Sequence, residues 1–255
     1  MNLRKKQLSA ALLSSMLVAS LLVGCDKEEA TPSASSTSGE PTSTSIVAAS
    51  PSPEVRPVIT DPASTAVLVN KEYALPDDYS PDDLVYPDVP FLFKEKIEKR
   101  MMRKEAAAAL EKLFAAAKQD GIYLAGVSAY RSHATQTAVF NRYVEKDGEE
   151  KAKTYSAVPG HSEHETGLAI DVSGSDGKFA AEPGFADTPE AEWLAAHATE
   201  YGFIIRYPEG KEAITGYTYE AWHLRYVGEE ISKEIGEKGI TLEEYYGTVP
   251  VSSGS

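Results

Sequence analysis

The chain has 255 residues, a formal net charge of −14 and a single cysteine. The acidic balance argues against a nucleic-acid partner, because phosphate binding needs a basic face. One cysteine excludes an internal disulfide, and the length suits one sizeable domain with extensions.

Residues 1–24 read as a targeting segment. Arg4, Lys5 and Lys6 precede an apolar run from Leu8 to Val23, the pattern of a secretory signal. Leu21-Leu22-Val23-Gly24-Cys25 resembles the bacterial lipobox, in which the cysteine receives a lipid and becomes the mature N-terminus. The competing reading is a transmembrane anchor with an incidental cysteine. A lipid on Cys25 would hold the protein to the outer face of the cytoplasmic membrane. Cleavage removes Arg4, Lys5 and Lys6 and no acid, so the formal charge falls from −14 to −17. Such a surface should not adhere to anionic lipids or wall polymers, and attachment by lipid alone is expected.

Residues 25–66 are rich in Ser, Thr, Pro and Ala, which cannot offset their ordering entropy by burial. They predict a flexible linker with a reach on the order of 35 Å. The folded domain is expected over 67–248, with 249–255 as a disordered tail.

Within the domain, residues 71–93 suggest an ordered wrap with little regular structure. Residues 94–119 predict a helix from their alanines and long side chains, ended by Gly121. Ile122–Val127 reads as a strand and 133–146 as a helix. Thr154–His164 reads as a loop, Thr166–Val172 as a strand and Gly174–Gly177 as a turn. Thr188-Pro189-Glu190 opens a helix through Glu200, and Phe203–Arg206 is a further strand. Gly210 and Gly216 mark a turn. Trp222–Val227 predicts a strand, Gly228–Lys238 a helix, and 241–246 a short closing turn. Without a clean βαβ alternation, the expected class is α+β.

Chemistry concentrates in two places, Pro159–Val172 and Glu220-Ala221-Trp222-His223. Catalytic zinc takes three protein donors and keeps one position open. His164 and Asp171 are seven residues apart, about 10.5 Å on a helix and more than about 20 Å on a strand. A shared ion therefore needs a turn between them, and Gly167 permits one. Asp171 lies in the apolar run Leu168–Val172, unfavourable for a carboxylate unless it is paired or bound to metal. Glu220 and His223 would point to opposite faces of a regular strand, so one shared site needs an irregular backbone there. In that arrangement His223 ligates and Glu220 stays off the metal as a base, with Trp222 as an apolar wall. His133 and His197 read as surface histidines, His161 as a rim residue, and Glu163 and Glu165 as loop acids.

Ser162-x-His164-x-x-Gly167-x-Ala169-x-Asp171, followed by Glu220-x-Trp222-His223 and preceded by Ser128-Ala129-Tyr130-Arg131-Ser132 with Gln136, resembles a known family. It is similar to the zinc-dependent peptidoglycan carboxypeptidases of the VanY and LdcB type, the D-alanyl-D-alanine carboxypeptidase group of the M15 peptidases. The resemblance spans roughly residues 70–247. Ala221 stands where many relatives have proline, which implies little beyond a looser turn.

The resemblance implies a small mixed or antiparallel sheet flanked by helices, the Hedgehog/DD-peptidase-like architecture. It implies one Zn2+ held by His164, Asp171 and His223, with Glu220 as general base. Arg131 would bind the substrate carbonyl or carboxylate; the alternative is a structural salt bridge. Gln136 and Ser162 would line the substrate pocket; the alternative is local capping or turn bonding. Tyr217 and Tyr219 are further rim candidates. The implied activity is removal of a C-terminal D-alanine from peptidoglycan stem peptides by a lipid-anchored monomer, from pentapeptides (DD) or tetrapeptides (LD). The rival reading is a non-catalytic lipoprotein that binds stem peptides or metal, and it gives Glu220 no task.

Overall fold

A computed structural model describes residues 56–248. Cys25, the targeting segment, linker residues 26–55 and the tail from 249 lie outside the described residues. Residues 56–66, expected to belong to the linker, pack on the domain. The Leu68 amide donates to the Ile59 carbonyl at 2.9 Å, and the buried Arg225 guanidinium donates to the Thr65 carbonyl at 3.2 Å. A buried guanidinium needs acceptors, and this segment supplies one.

The first elements are two short strands, β1 (Leu84–Val85) and β2 (Met102–Arg103), paired antiparallel. They correct the helix expected over 94–119. Helix α1 (Lys104–Gln119) starts only after Arg103, whose amide donates to the Gly167 carbonyl at 2.8 Å and whose Nε donates to Asp83 Oδ1 at 2.9 Å. These tertiary bonds override the helix propensity of the preceding residues. Along α1, Ala106, Ala107, Leu110, Leu113, Phe114 and Ala117 are buried as one stripe. Each fully buried leucine contributes roughly 1.5–3 kcal/mol.

Four strands build the main sheet: β3 (Leu124–Ser128), β4 (Ala169–Gly174), β5 (Phe203–Tyr207) and β6 (Glu220–Tyr226). Their order is β3-β4-β6-β5, and every neighbour is antiparallel. The α+β expectation holds. Between β3 and β4 lie α2 (His133–Asp147) and α3 (Glu149–Tyr155), separated by Gly148 at φ +84°. Helix α3 shortens the loop expected from Thr154. Helix α4 (Pro189–His197) opens as expected, with Thr188 Oγ1 accepting from the Ala191 amide at 3.2 Å and proline in the first turn. A short α5 (Glu212–Thr215) sits inside the turn between β5 and β6, and α6 (Glu229–Lys238) and α7 (Leu242–Tyr246) close the domain.

The larger core joins α1, the sheet and α4 through Leu110, Leu113, Ile170, Leu194, Phe203 and Leu224. A second core gathers Leu68, Ile204, Val227, Ile235, Leu242 and Tyr246. The central pair β4 and β6 is buried over almost its whole length, so side chains at its end are held rigidly.

Candidate active site

The site begins with a turn. Ser162 opens a 3-10 turn, Glu163–Thr166, in a capping box with Glu165. Gly167 ends the turn at φ +68°, and a Cβ there would meet Leu84 Cδ2 at 2.9 Å. Glycine meets both the left-handed backbone and the tight space without strain. The chain then enters β4 at Ala169, and His164 Nε2 comes to 3.3 Å from Asp171 Oδ2. The turn expected at Gly167 is present.

His223 arrives through the sheet register. It is the direct cross-strand partner of Asp171, and its Nδ1 lies 2.9 Å from Asp171 Oδ1. Donor atoms of His164, Asp171 and His223 all lie within 4.8 Å of one another. Ligand atoms on one tetrahedral zinc are about 2.0–2.1 Å from it, and so roughly 3.3 Å apart. The donor set therefore fits a zinc ion, and His164 Nδ1, 2.7 Å from the Ala129 carbonyl, leaves Nε2 available for it.

Glu220 joins the cluster through an irregularity in β6. Pairing with β5 jumps from Ile205↔Leu224 to Tyr207↔Glu220, so Ala221–His223 bulge against a single opposing residue. Glu220 Oε2 thereby comes within 4.0 Å of His223 Nδ1. Burial raises the Glu220 carboxyl, His223 opposes and Asp171 adds, and the group is pushed up to about 7. For Asp171, burial also raises the carboxyl, but His164 and His223 outweigh it and hold it well below the usual range. Burial alone would lower the His223 imidazole; hydrogen bonds to Asp171 and Glu163 outweigh it and push it up to about 10. Asp171, held ionised at the centre of the cluster, favours a cation there.

Arg131 comes from the exit of β3. A register shift between Gly126 and Ser128 sends the chain out of the sheet beside Asp171, and the Arg131 amide donates to the His164 carbonyl at 3.1 Å. Its Nη1 donates to Gln136 Oε1 at 2.8 Å, and Gln136 Nε2 donates to the Ala157 carbonyl at 2.6 Å. Gln136 is fully buried. The structure thus moves it from the expected pocket wall to a support beneath Arg131, because both ends of its amide are occupied by protein. The partner of Arg131 is this amide rather than a carboxylate.

His164, Asp171, His223, Glu220, Arg131 and Ser162 face one cavity of about 290 Å³. Its wall includes Tyr207, Tyr217 and the expected Trp222, together with Tyr143 and Tyr155 from α2 and α3. The Tyr207 ring lies 5.0 Å from the His223 ring and 4.6 Å from that of Tyr217. Tyr219 packs on the larger core, and His161 Nδ1 lies 2.7 Å from the Asn70 carbonyl.

Three readings are corrected here. Glu163 and Glu165 are buried, not loop acids. Glu165 accepts from the Gly160 amide at 2.9 Å and contacts His133 Nδ1 at 2.9 Å, so His133 is tied into the turn instead of lying idle on the surface. Glu163 Oε1 accepts from Arg206 and Arg225, both at 2.7 Å, and these cations more than offset the burial that would raise its carboxyl. The available signal was Arg206 itself, a cation closing the apolar strand Phe203-Ile204-Ile205, which demands a buried anion. His197 is as expected, packed 4.7 Å from Trp193 at a helix edge.

Comparison with known proteins agrees with this geometry. The family model for VanY, D-alanyl-D-alanine carboxypeptidase, matches residues 99–229. The putative carboxypeptidase YodJ of Bacillus subtilis (strain 168) is 52% identical over 188 residues, which cover 74% of this chain and 69% of that protein. Among solved structures, the LdcB LD-carboxypeptidase is similar with a TM-score of 0.72 at 52% identity, covering 75% of this chain and 90% of that one. A Zn(II) complex of a mutant of the vancomycin-resistance D,D-pentapeptidase VanY has a TM-score of 0.56 at 31% identity, covering 71% and 98%. With a family model across its site, and a relative this similar over most of both chains, the chain belongs to the VanY family of D-alanyl-D-alanine carboxypeptidases.

Proposed function

We propose that the chain is a zinc-dependent carboxypeptidase that removes the C-terminal D-alanine from peptidoglycan stem peptides. One observation carries the reading: Glu220 stands beside three converging donors without being one of them, in a burial that pushes it up to about 7. A site that only binds peptide or stores metal has no use for such a group. Between the two substrates we favour the tetrapeptide, because similarity to the LD-carboxypeptidase exceeds that to the D,D-pentapeptidase in both identity and TM-score.

Arg131 presents a planar, permanently charged fork to the substrate carboxylate or to the developing oxyanion, and Gln136 holds that fork from below. A zinc ion held by His164, Asp171 and His223 would supply Lewis acidity toward the scissile carbonyl and lower the pKa of a water to roughly 7. Glu220 is placed to take a proton from a water attacking the scissile carbonyl and to return it to the amine of D-alanine as the C–N bond breaks. Ser162 offers a hydroxyl at the cavity wall. Outside the described residues, the proposal places a lipid on Cys25 and the enzyme, as a monomer, at the outer face of the cytoplasmic membrane.

Mass spectrometry of purified muropeptides incubated with the zinc-loaded protein tests the reading. Loss of the terminal alanine from tetrapeptides supports it as stated. Loss from pentapeptides alone reassigns the specificity to DD, and intact peptides of both kinds remove the catalytic reading.

A further inference from the structure

We infer that Glu163 is a positioning residue that selects which nitrogen of His223 faces the metal centre, and that Arg206 and Arg225 lock it in place. The inference rests on the metal-centre reading above. The two ring nitrogens of His223 keep different company. Nδ1 faces Asp171 Oδ1 at 2.9 Å and Glu220 Oε2 at 4.0 Å, whereas Nε2 faces Glu163 Oε2 at 3.4 Å. A neutral imidazole carries one proton. If Nδ1 offers its lone pair to an ion, Nε2 holds the proton and needs an acceptor, and Glu163 Oε2 is that acceptor. His164 has the opposite arrangement, with Nδ1 directed at the Ala129 carbonyl and Nε2 toward Asp171. Each imidazole thus has its own device for choosing a tautomer.

Glu163 has no freedom to swing away. Its Oε1 accepts from Arg206 Nε and Arg225 Nη1, both at 2.7 Å, and all three side chains are fully buried. The remaining donors of both arginines are also engaged. Arg206 Nη1 and Nη2 donate to Glu243 at 2.9 and 2.6 Å, and Arg225 Nη2 donates to the Val67 carbonyl at 2.6 Å. A buried ion network of this kind adds little stability over apolar side chains of similar volume. Its contact with His223 gives it a purpose in the site.

The test uses the detergent-solubilised full chain loaded with zinc, and reads the His223 tautomer by ¹⁵N NMR. The expected spectrum has the proton on Nε2 and the metal on Nδ1; zinc on Nε2 overturns the inference. In E163Q, zinc affinity by competition with a fluorescent chelator should weaken roughly 10–100-fold, and the His223 tautomer should become mixed. In E243Q, which removes a carboxylate from the same network without touching His223, the tautomer and affinity should stay as in the wild type. Equal effects from E163Q and E243Q, or no effect of E163Q, reduce Glu163 to a structural role and leave the carboxypeptidase reading standing. A wild-type chain that binds no zinc overturns both. Should E163Q fail to fold, the wild-type spectrum decides.

Discussion

Gln136→Leu separates the support of Arg131 from the rest of the site. Leucine nearly fills the volume of this fully buried side chain but makes neither of its two bonds, the one accepted from Arg131 at 2.8 Å and the one donated to the Ala157 carbonyl at 2.6 Å. Leaving a buried polar group unpaired costs about 1–3 kcal/mol, and the half-exposed Ala157 falls at the lower end. A loss of about 1–2 kcal/mol lowers the melting temperature of a domain this size by roughly 2–8 °C. A hydrogen bond to a charged group contributes about 1.5–3 kcal/mol. If that orientation is needed in the transition state, kcat/KM falls roughly 10–150-fold. The assay is steady-state hydrolysis of a tetrapeptide at saturating zinc, beside a thermal melt. Gln136→Glu provides the contrast, since a carboxylate still accepts from Arg131 but cannot donate to Ala157; it should destabilise while keeping more activity than leucine. A leucine variant with lowered stability and kcat/KM within about twofold of wild type would refute the argument, because Arg131 would then be oriented by something other than Gln136.

Four further outcomes are expected. Glu220→Gln should lower kcat by roughly 10²–10⁴-fold with zinc stoichiometry unchanged, and dipicolinate should abolish wild-type turnover; near-wild-type turnover in either experiment contradicts the mechanism. Gly167→Ala forces an L-residue to φ +68° with its Cβ 2.9 Å from Leu84 Cδ2, so a loss of roughly 1–2 kcal/mol from the backbone alone and weaker zinc binding should appear in a melt and a chelator competition. Cys25→Ala should move the protein from the membrane pellet to the soluble fraction, and continued sedimentation would show that something besides a lipid attaches it.

The legibility of this protein in its sequence varied with how local each feature is. The helix N-terminus at Thr188-Pro189 and the turn at Gly167 were readable because capping chemistry and left-handed backbone are properties of a few adjacent residues. Helix α1 was misplaced at its start because the bonds that end the extended segment at Arg103 come from Asp83 and Gly167, distant in the chain. Residues 56–66 look disordered by composition, yet the Thr65 carbonyl accepts from the buried Arg225.

The same division holds at the site. From the residues themselves, His164, Asp171 and His223 read as a candidate metal site that needs two backbone irregularities, and the resemblance to the carboxypeptidase family implies the full ligand set with Glu220 as base. Tertiary structure decided how they meet: the Asp171↔His223 register between β4 and β6, and the bulge that turns Glu220 to the same side. It also decided the supporting contacts around the site. Gln136 beneath Arg131, and Glu163 between His223 and two buried arginines, acquire their roles only from side chains that lie far away in the chain. A residue type advertises what it can bond; which partner it bonds is set by packing, and packing is a property of the whole fold.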